Sequence, residues 1–242
     1  MDRATKLTKP LSAPRAEGAL AEAYLYAKKS VLNSPHWAEV LDVQREPTEI
    51  SESDFLRELA WVILSAGIAE IVVRKKFPEI SKCFCNWKSA RQISENAEEC
   101  IEKALSHFRH QGKIRAIATA AVMLASSEPF EKLRERILSD PIRLLQTFPY
   151  IGPVTAFHIA KNIGIKVAKP DRHLFRLAQS NGFESVEEFC RTIAHFLGED
   201  IRRVDSVLWR FATLHHDYLY RFSRCNTGSD PAMGKPLAVG RP

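Results

Sequence analysis

Apolar residues recur every three or four positions along most of the chain, and no segment alternates strictly between apolar and polar residues. The first spacing is typical of a helix with one buried face, whereas strict alternation would indicate a strand. The segment "SESDFLRELAWVILSAGIAEIVVRKKF" starts with helix-capping residues, is apolar on nearly all sides from Trp61 to Leu64, and is interrupted at Gly67. A helix without a polar face is buried. The pattern therefore predicts an all-α protein with a buried central helix.

Helical patterns fill the chain between two polar ends. Residues 1–14 and 223–242 are predicted to be flexible tails, because they are polar and contain proline and few large apolar residues. Residues 15–222 are predicted to form a helical domain, an orthogonal array of helices in two lobes with a cleft between the lobes. The 242 residues, of which 45% are apolar, supply enough material for such a core.

Charge and cysteine content narrow the function classes. The formal net charge is +6, and a basic balance favours an anionic partner, with nucleic acid first. The five cysteines form no CxxC pair, so neither a zinc site nor an iron–sulfur cluster is expected, and no cofactor is predicted. The sequence shows no secretory signal and no charge-free apolar run long enough to span a membrane.

A short turn and an aspartate stand out in residues 148–178, "FPYIGPVTAFHIAKNIGIKVAKPDRHLFRLA". Gly152 has no Cβ, so backbone N–H groups there can approach a ligand closely. The helix that opens at Val154 carries partial positive charge at its start, which suits a phosphate. An ordinary connection between packed helices is the alternative. Asp171 opens the next helix, either as a simple cap or as a carboxylate held at the edge of a basic surface.

These two segments together resemble the helix-hairpin-helix DNA glycosylases. The hairpin "FPYIGPVTA" is similar to that family's "LPGIGPxTA", and "KPDRHLFRLA" is similar to its "VDTHVxRLA" segment, which carries the catalytic aspartate. Asp171 follows Val154 by 17 positions, in agreement with the spacing expected for the family. The resemblance covers roughly residues 50–220. It implies an enzyme that flips a nucleotide out of double-stranded DNA and cleaves the base–sugar bond, acting as a cytoplasmic, nucleoid-associated monomer.

The resemblance also assigns roles to residues. Asp171 would stabilise positive charge developing on the sugar and would orient the attacking water. The hairpin would bind the DNA backbone through N–H groups, with a monovalent cation held by its carbonyl oxygens. The loop "RHQG" would fill the gap left by the flipped nucleotide. The DNA contacts implied in this way are Tyr150, Ile151, Gly152, Val154, Thr155, Arg172, His173, His110, Gln111 and Lys113.

Three residues are candidates for the pocket that receives the flipped base. Gly67 stands where the family often carries a glutamine that contacts the orphan base. Glu70 comes three positions later and could contact a base edge instead. A solvated or helix-paired Glu70 is the alternative. Phe84 and Trp87 lie in the irregular segment "CFCNWK", where aromatic rings would either stack on a flipped base or pack against a neighbouring helix.

Val154 bears on the type of reaction. Bifunctional members of the family place a lysine nucleophile directly after the hairpin, and this chain has Val154 there. The resemblance therefore implies hydrolysis by water without lyase activity, nearest to the alkyl-base (3-methyladenine-type) glycosylases. The missing glutamine at Gly67, Arg172 in place of a small polar residue, and the segment "CFCNWK" depart from the family pattern and leave the substrate open. Excision of a bulky hypermodified base from phage DNA, in a defence role, is therefore an alternative to repair. A non-catalytic helix-hairpin-helix DNA-binding protein and a helical interaction protein are the further alternatives.

Overall fold

The computed structural model describes residues 13–41, 46–126 and 128–224, and the regular elements of these residues are helices without a strand. The predicted all-α fold is therefore confirmed. Most of the predicted tails, together with Cys225, lies outside the described residues. The helices are α1 (Glu17–Leu32), α2 (Ala38–Leu41), α3 (Glu52–Ser65), α4 (Glu70–Cys83), α5 (Ala90–Glu95), α6 (Ala97–His107), α7 (Gln111–Ser126), α8 (Phe130–Ser139), α9 (Pro141–Leu145), α10 (Pro153–Asn162), α11 (Arg172–Ser180), α12 (Val186–Leu197), α13 (Ile201–Leu214) and α14 (Tyr218–Arg224).

The chain divides into two compact units, in agreement with the two lobes predicted, and the cleft remains a prediction. The first unit contains α1, α2 and α11–α14, with α1 packed against α12, α13 and α14. The Glu39 carboxylate accepts two hydrogen bonds of 2.7 Å from the Arg210 guanidinium, which joins α2 to α13. Glu199 accepts a 2.5 Å hydrogen bond from the Tyr24 hydroxyl. Burial and this carboxylate raise the pKa of Tyr24, so its hydroxyl stays a proton donor.

The second unit contains α3–α10. Helix α7 packs against α3, α5 and α6, and α10 packs against α3 and α9. Ser51 caps α3 by accepting a 3.1 Å hydrogen bond from the Asp54 amide, as the capping pattern predicted. The interruption predicted at Gly67 is also present: α3 ends at Ser65, α4 begins at Glu70, and Gly67 has a φ of +72°. That left-handed conformation is free of steric strain in glycine.

Local breaks divide the helices of both units. Asn96 separates α5 from α6 in the second unit, and in the first unit α13 ends at Leu214 before α14 begins at Tyr218. Asp140 stands at the start of α9, but its carboxylate accepts from Arg143 Nε at 2.5 Å and not from a backbone amide. None of the helices in the described ranges has the length and apolar character needed to cross a bilayer.

Candidate functional site

The predicted hairpin is present in the second unit as a tight turn between α9 and α10. The Phe148 amide donates to the Leu145 carbonyl at 3.2 Å, and the Ile151 amide donates to the Phe148 carbonyl, also at 3.2 Å. The side chains of Phe148 and Ile151 are buried, and the Phe148 ring lies 5.6 Å from the Phe55 ring, centroid to centroid. The side chain of Ile151 is therefore buried and its N–H is already hydrogen-bonded within the protein. Neither group can make the DNA contact predicted for this residue.

Thr155 organises the start of α10. Its hydroxyl accepts a 2.7 Å hydrogen bond from the Gly152 amide and donates a 3.1 Å hydrogen bond to the Gly152 carbonyl. That carbonyl also accepts from the Ala156 amide at 2.9 Å. Because both oxygen lone pairs are used, the predicted monovalent cation would have to bind other carbonyls of the turn, and it remains a prediction.

The start of α10 offers two backbone N–H groups to a ligand. Pro153 has no N–H, and the amides of Val154 and Thr155 lie in the first turn, where a helix offers no acceptor of its own. Apart from Gly152 itself and its two neighbours in the chain, no heavy atom of the described residues lies within 4 Å of where a Cβ on Gly152 would stand. The Gly152 φ of −94° is accessible to any residue, so the absence of a side chain provides space and not conformational freedom. The geometry admits an anion on the Val154 and Thr155 amides.

Tyr150 is the unusual residue of the turn. Its φ is +63°, in the left-handed region that costs a non-glycine residue about 1–2 kcal/mol. The side chain is 49% exposed and lies over the start of α7, where a Cβ on Gly112 would overlap the tyrosine hydroxyl oxygen. The His110 ring packs edge-on at a centroid distance of 6.2 Å. The turn and the loop predicted to fill the DNA gap are therefore in contact, a relationship that the sequence did not reveal.

Lys113 does not lie where the sequence analysis placed it. Its side chain is 3% exposed, and its ammonium donates to the carbonyl oxygens of Ile63, of Leu64 at 3.3 Å and of Ala66 at 2.7 Å. The same ammonium lies 5.7 Å from the centre of the Tyr150 ring. Lys113 therefore caps the C-terminal end of α3 from within the protein, and we withdraw it from the predicted DNA contacts.

His110 and Gln111, by contrast, are both exposed, which is compatible with their predicted position in a wedge loop. The His110 carbonyl accepts from the amides of Lys113 and Ile114, each at 3.1 Å, so the loop leads directly into α7. Their contact with DNA remains a prediction.

The predicted base pocket is not supported at its aromatic residues. Phe84 and Trp87 are 0% and 2% exposed, and their rings stack at a centroid distance of 5.3 Å. Phe77 also stacks on Trp87, at a centroid distance of 5.7 Å, and the Trp87 Nε1 atom donates to the Ser81 hydroxyl at 2.9 Å. The two rings belong to the core of the second unit, the alternative that the sequence analysis allowed.

Glu70 opens α4 and forms an ion pair with Arg74 one turn later. This pairing matches the helix-paired alternative stated for Glu70. It leaves the pocket for the flipped base without an identified residue.

Asp171 belongs to the first unit and caps α11. Its Oδ1 atom accepts hydrogen bonds from the amides of His173 at 2.8 Å and Leu174 at 2.9 Å. Among the described residues, Oδ2 has no hydrogen-bonding partner. Asp171 is therefore a helix cap through Oδ1, which leaves Oδ2 unused by the cap, and its catalytic role remains a prediction.

The residues after Asp171 differ in exposure. Arg172 is exposed, as a predicted backbone contact should be. His173 is half-buried, with its ring 5.5 Å from the Tyr218 ring, and its Nδ1 atom is buried without a hydrogen-bonding partner in the described part of the chain. Burial lowers the pKa of His173, with Arg172 and Arg176 adding to the effect and Asp171 opposing it. His173 is accordingly a neutral ring at neutral pH.

The described residues contain no group of three or more histidine, cysteine or acidic side chains that could hold a metal ion. The predicted lack of a cofactor remains a prediction.

Comparison with known proteins identifies the fold. No protein-family model matches the chain, and no curated protein matches it either. Among solved structures, the chain is similar to the 8-oxoguanine DNA glycosylase of Thermotoga maritima, with a TM-score of 0.54 and 22% sequence identity. The similarity covers 80% of this chain and 96% of that protein. The chain therefore has the fold of a DNA glycosylase.

Proposed function

We propose that this protein is a DNA glycosylase that flips a damaged or modified base out of double-stranded DNA and removes it by hydrolysis, leaving an abasic site. The observation that carries the proposal is Asp171, a carboxylate held by two backbone amides through Oδ1 while Oδ2 has no hydrogen-bonding partner among the described residues. The fold shared with a known glycosylase and the hairpin of the second unit support it.

Asp171 supplies the charge that the reaction needs. Loss of the base leaves an oxocarbenium-like sugar, and a fixed carboxylate stabilises that positive charge without reorganising. The Oδ2 atom accepts a proton or a hydrogen bond from the attacking water. The two amide hydrogen bonds to Oδ1 keep the carboxylate in one orientation, which is what preorganisation requires.

The hairpin binds the backbone of the DNA strand. The amides of Val154 and Thr155 donate to a phosphate oxygen, and the open space beside Gly152 lets the strand come close. Such contacts position DNA without reading its sequence. They fit an enzyme that must search many sites for one altered base.

Hydrolysis, without lyase activity, is the second part of the proposal. An amine attached to the sugar leads on to strand cleavage, whereas water leaves an intact backbone with an abasic site. By the family resemblance the nucleophilic lysine would stand at Val154, which has no amine. The buried ammonium nearby, that of Lys113, is occupied by three carbonyl oxygens.

The experiment is incubation of the protein with duplexes that each carry one altered base. The panel contains 8-oxoguanine, the substrate in the name of the structural neighbour, the alkylated purines that the family resemblance favours, and hypermodified cytosines from phage DNA. Products are separated before and after alkali treatment. We expect one base class to give cleavage after alkali only. Cleavage before alkali would disprove the monofunctional reaction, and binding without any abasic product would favour a non-catalytic DNA-binding protein.

A further inference from the structure

The backbone at Tyr150 is strained, and the strain has a simple origin. The hairpin pattern of the family has glycine at this position, where a φ of +63° costs nothing. Tyrosine there is disfavoured, and such conformations persist where the surrounding structure or a function maintains them. The side chain is not needed to fill the core, because it is 49% exposed.

The Tyr150 ring nevertheless has specific contacts. Its hydroxyl occupies the space above Gly112, its face lies 5.7 Å from the Lys113 ammonium, and the exposed His110 ring packs edge-on against it. Cation–π and edge-to-face contacts of this kind fix a ring without covering both of its faces. The second unit thus presents an exposed aromatic ring, contacted by neighbouring side chains, beside the loop expected to enter DNA.

We infer that Tyr150, supported by His110, forms a stacking site for a nucleobase left unpaired when the duplex is opened. The inference rests on the proposed function and adds a binding site to it. Every base offers a flat π-face, so an exposed, rigid ring can bind it without regard to sequence. The neighbouring Val154 and Thr155 amides would bind a phosphate of the same strand region. Tyr150 would therefore make binding selective for interrupted duplexes over intact ones.

The test compares two duplexes of identical sequence, one intact and one containing a tetrahydrofuran abasic analogue. The measured quantity is the ratio of their dissociation constants at one fixed salt concentration. We expect Tyr150→Gly to weaken binding to the interrupted duplex more than binding to the intact one, so that this preference falls roughly 5- to 100-fold, the range given by one lost base–aromatic stack. Because glycine relieves the strained φ, the variant should fold, which circular dichroism and thermal unfolding will verify. Tyr150→Phe keeps the ring and should keep the preference.

A second variant moves the ring without altering it. Gly112→Ala places a Cβ where the Tyr150 hydroxyl now lies, and alanine suits the helix better than glycine does. We expect it to lower the same preference while the fold is retained. An unchanged preference in folded Tyr150→Gly would overturn the inference and leave the glycosylase proposal intact. Equal weakening on both duplexes would also overturn it, because the ring would then have a general structural role. A wild-type protein that binds neither duplex would refute the proposed function as well.

Discussion

The ammonium of Lys113 lies 2.7 Å from the carbonyl oxygen of Ala66, so a residue of α7 closes the C-terminal end of α3. Carbonyls in the last turn of a helix have no partner within that helix, and a cation stabilises them through both hydrogen bonds and the helix dipole. The carbonyl oxygens of Ile63 and Leu64 also accept from Lys113. This one side chain therefore holds the α3–α4 connection, including Gly67, against the start of α7.

Replacing Lys113 with methionine should destabilise the second unit. Methionine keeps most of the buried aliphatic side chain, but the buried carbonyl oxygens lose their hydrogen-bond donor, which costs about 1–3 kcal/mol. Urea unfolding followed by circular dichroism measures the change. Lys132→Met, at an exposed lysine of α8, is the matched control and should be nearly neutral. Equal effects of the two substitutions would contradict the capping role.

Lys113 also shows where sequence analysis reaches its limit. The helices and the interruption at Gly67 follow from local spacing, so the sequence predicted them. Whether a lysine faces solvent or a helix end 47 residues earlier depends on how α3 packs against α7. That packing is set by the shapes of many side chains together. For the same reason the sequence could not decide whether Phe84 and Trp87 lie in a pocket or in the core.

The hairpin and Asp171 were better predicted because each depends on local chemistry. Proline and glycine define the turn within a few residues, and aspartate is a preferred residue at the start of a helix because its side chain can accept from the first backbone amides. The contact between Tyr150 and Gly112 was missed, because neither residue carries a local signal of the other. The only sequence sign was a bulky residue at a position where the family pattern has glycine.

Substitutions at Asp171 should separate catalysis from stability. Asparagine caps helices about as well as aspartate, so Asp171→Asn should keep the bonds to the His173 and Leu174 amides and change the free energy of unfolding little. It lacks the negative charge, and base excision should fall by about two to four orders of magnitude. Asp171→Ala should lose activity and, in addition, about 1 kcal/mol of stability. Full excision activity in folded Asp171→Asn would refute the proposed mechanism.

The substitution Gly152→Ala should weaken DNA binding without changing the fold. The φ of −94° suits alanine, and the position has open space around it. The methyl group would stand where a DNA strand must approach the Val154 and Thr155 amides. We expect a dissociation constant about tenfold higher on every duplex, comparable to the loss of one hydrogen bond to a charged group. Filter binding or fluorescence anisotropy measures it.

The control for that substitution is Gly18→Ala in α1 of the first unit, where the added methyl makes only an ordinary contact with Phe196. It should leave DNA binding unchanged. Unaltered binding by Gly152→Ala would exclude close approach of DNA to the turn. A loss of binding confined to duplexes of one sequence would also contradict the prediction, since contacts to the DNA backbone carry no sequence information.

Stability should fall in mild acid because of His158 in α10. Burial, together with Lys169 and Lys161, holds the pKa of His158 well below its usual 6.5. In the unfolded chain the ring takes up a proton near pH 6.5, whereas the folded ring stays neutral. Between the two pKa values the unfolded state therefore binds more protons, so the free energy of unfolding decreases as the pH falls, by at most about 1.4 kcal/mol per pH unit. Above about pH 6.5 both states are neutral, and this contribution to stability is fully present.

The variant His158→Gln removes that linkage and keeps a polar side chain of similar size. Urea unfolding of both proteins at about pH 7.5 and about pH 5.5 gives two differences in the free energy of unfolding. We expect the wild-type protein to lose about 1 kcal/mol more than the variant over this interval. His173 and His215, whose pKa values are also lowered by burial, contribute equally to both proteins and cancel in the comparison. A variant that loses as much stability as the wild type would show that His158 takes up its proton equally in the folded and unfolded states.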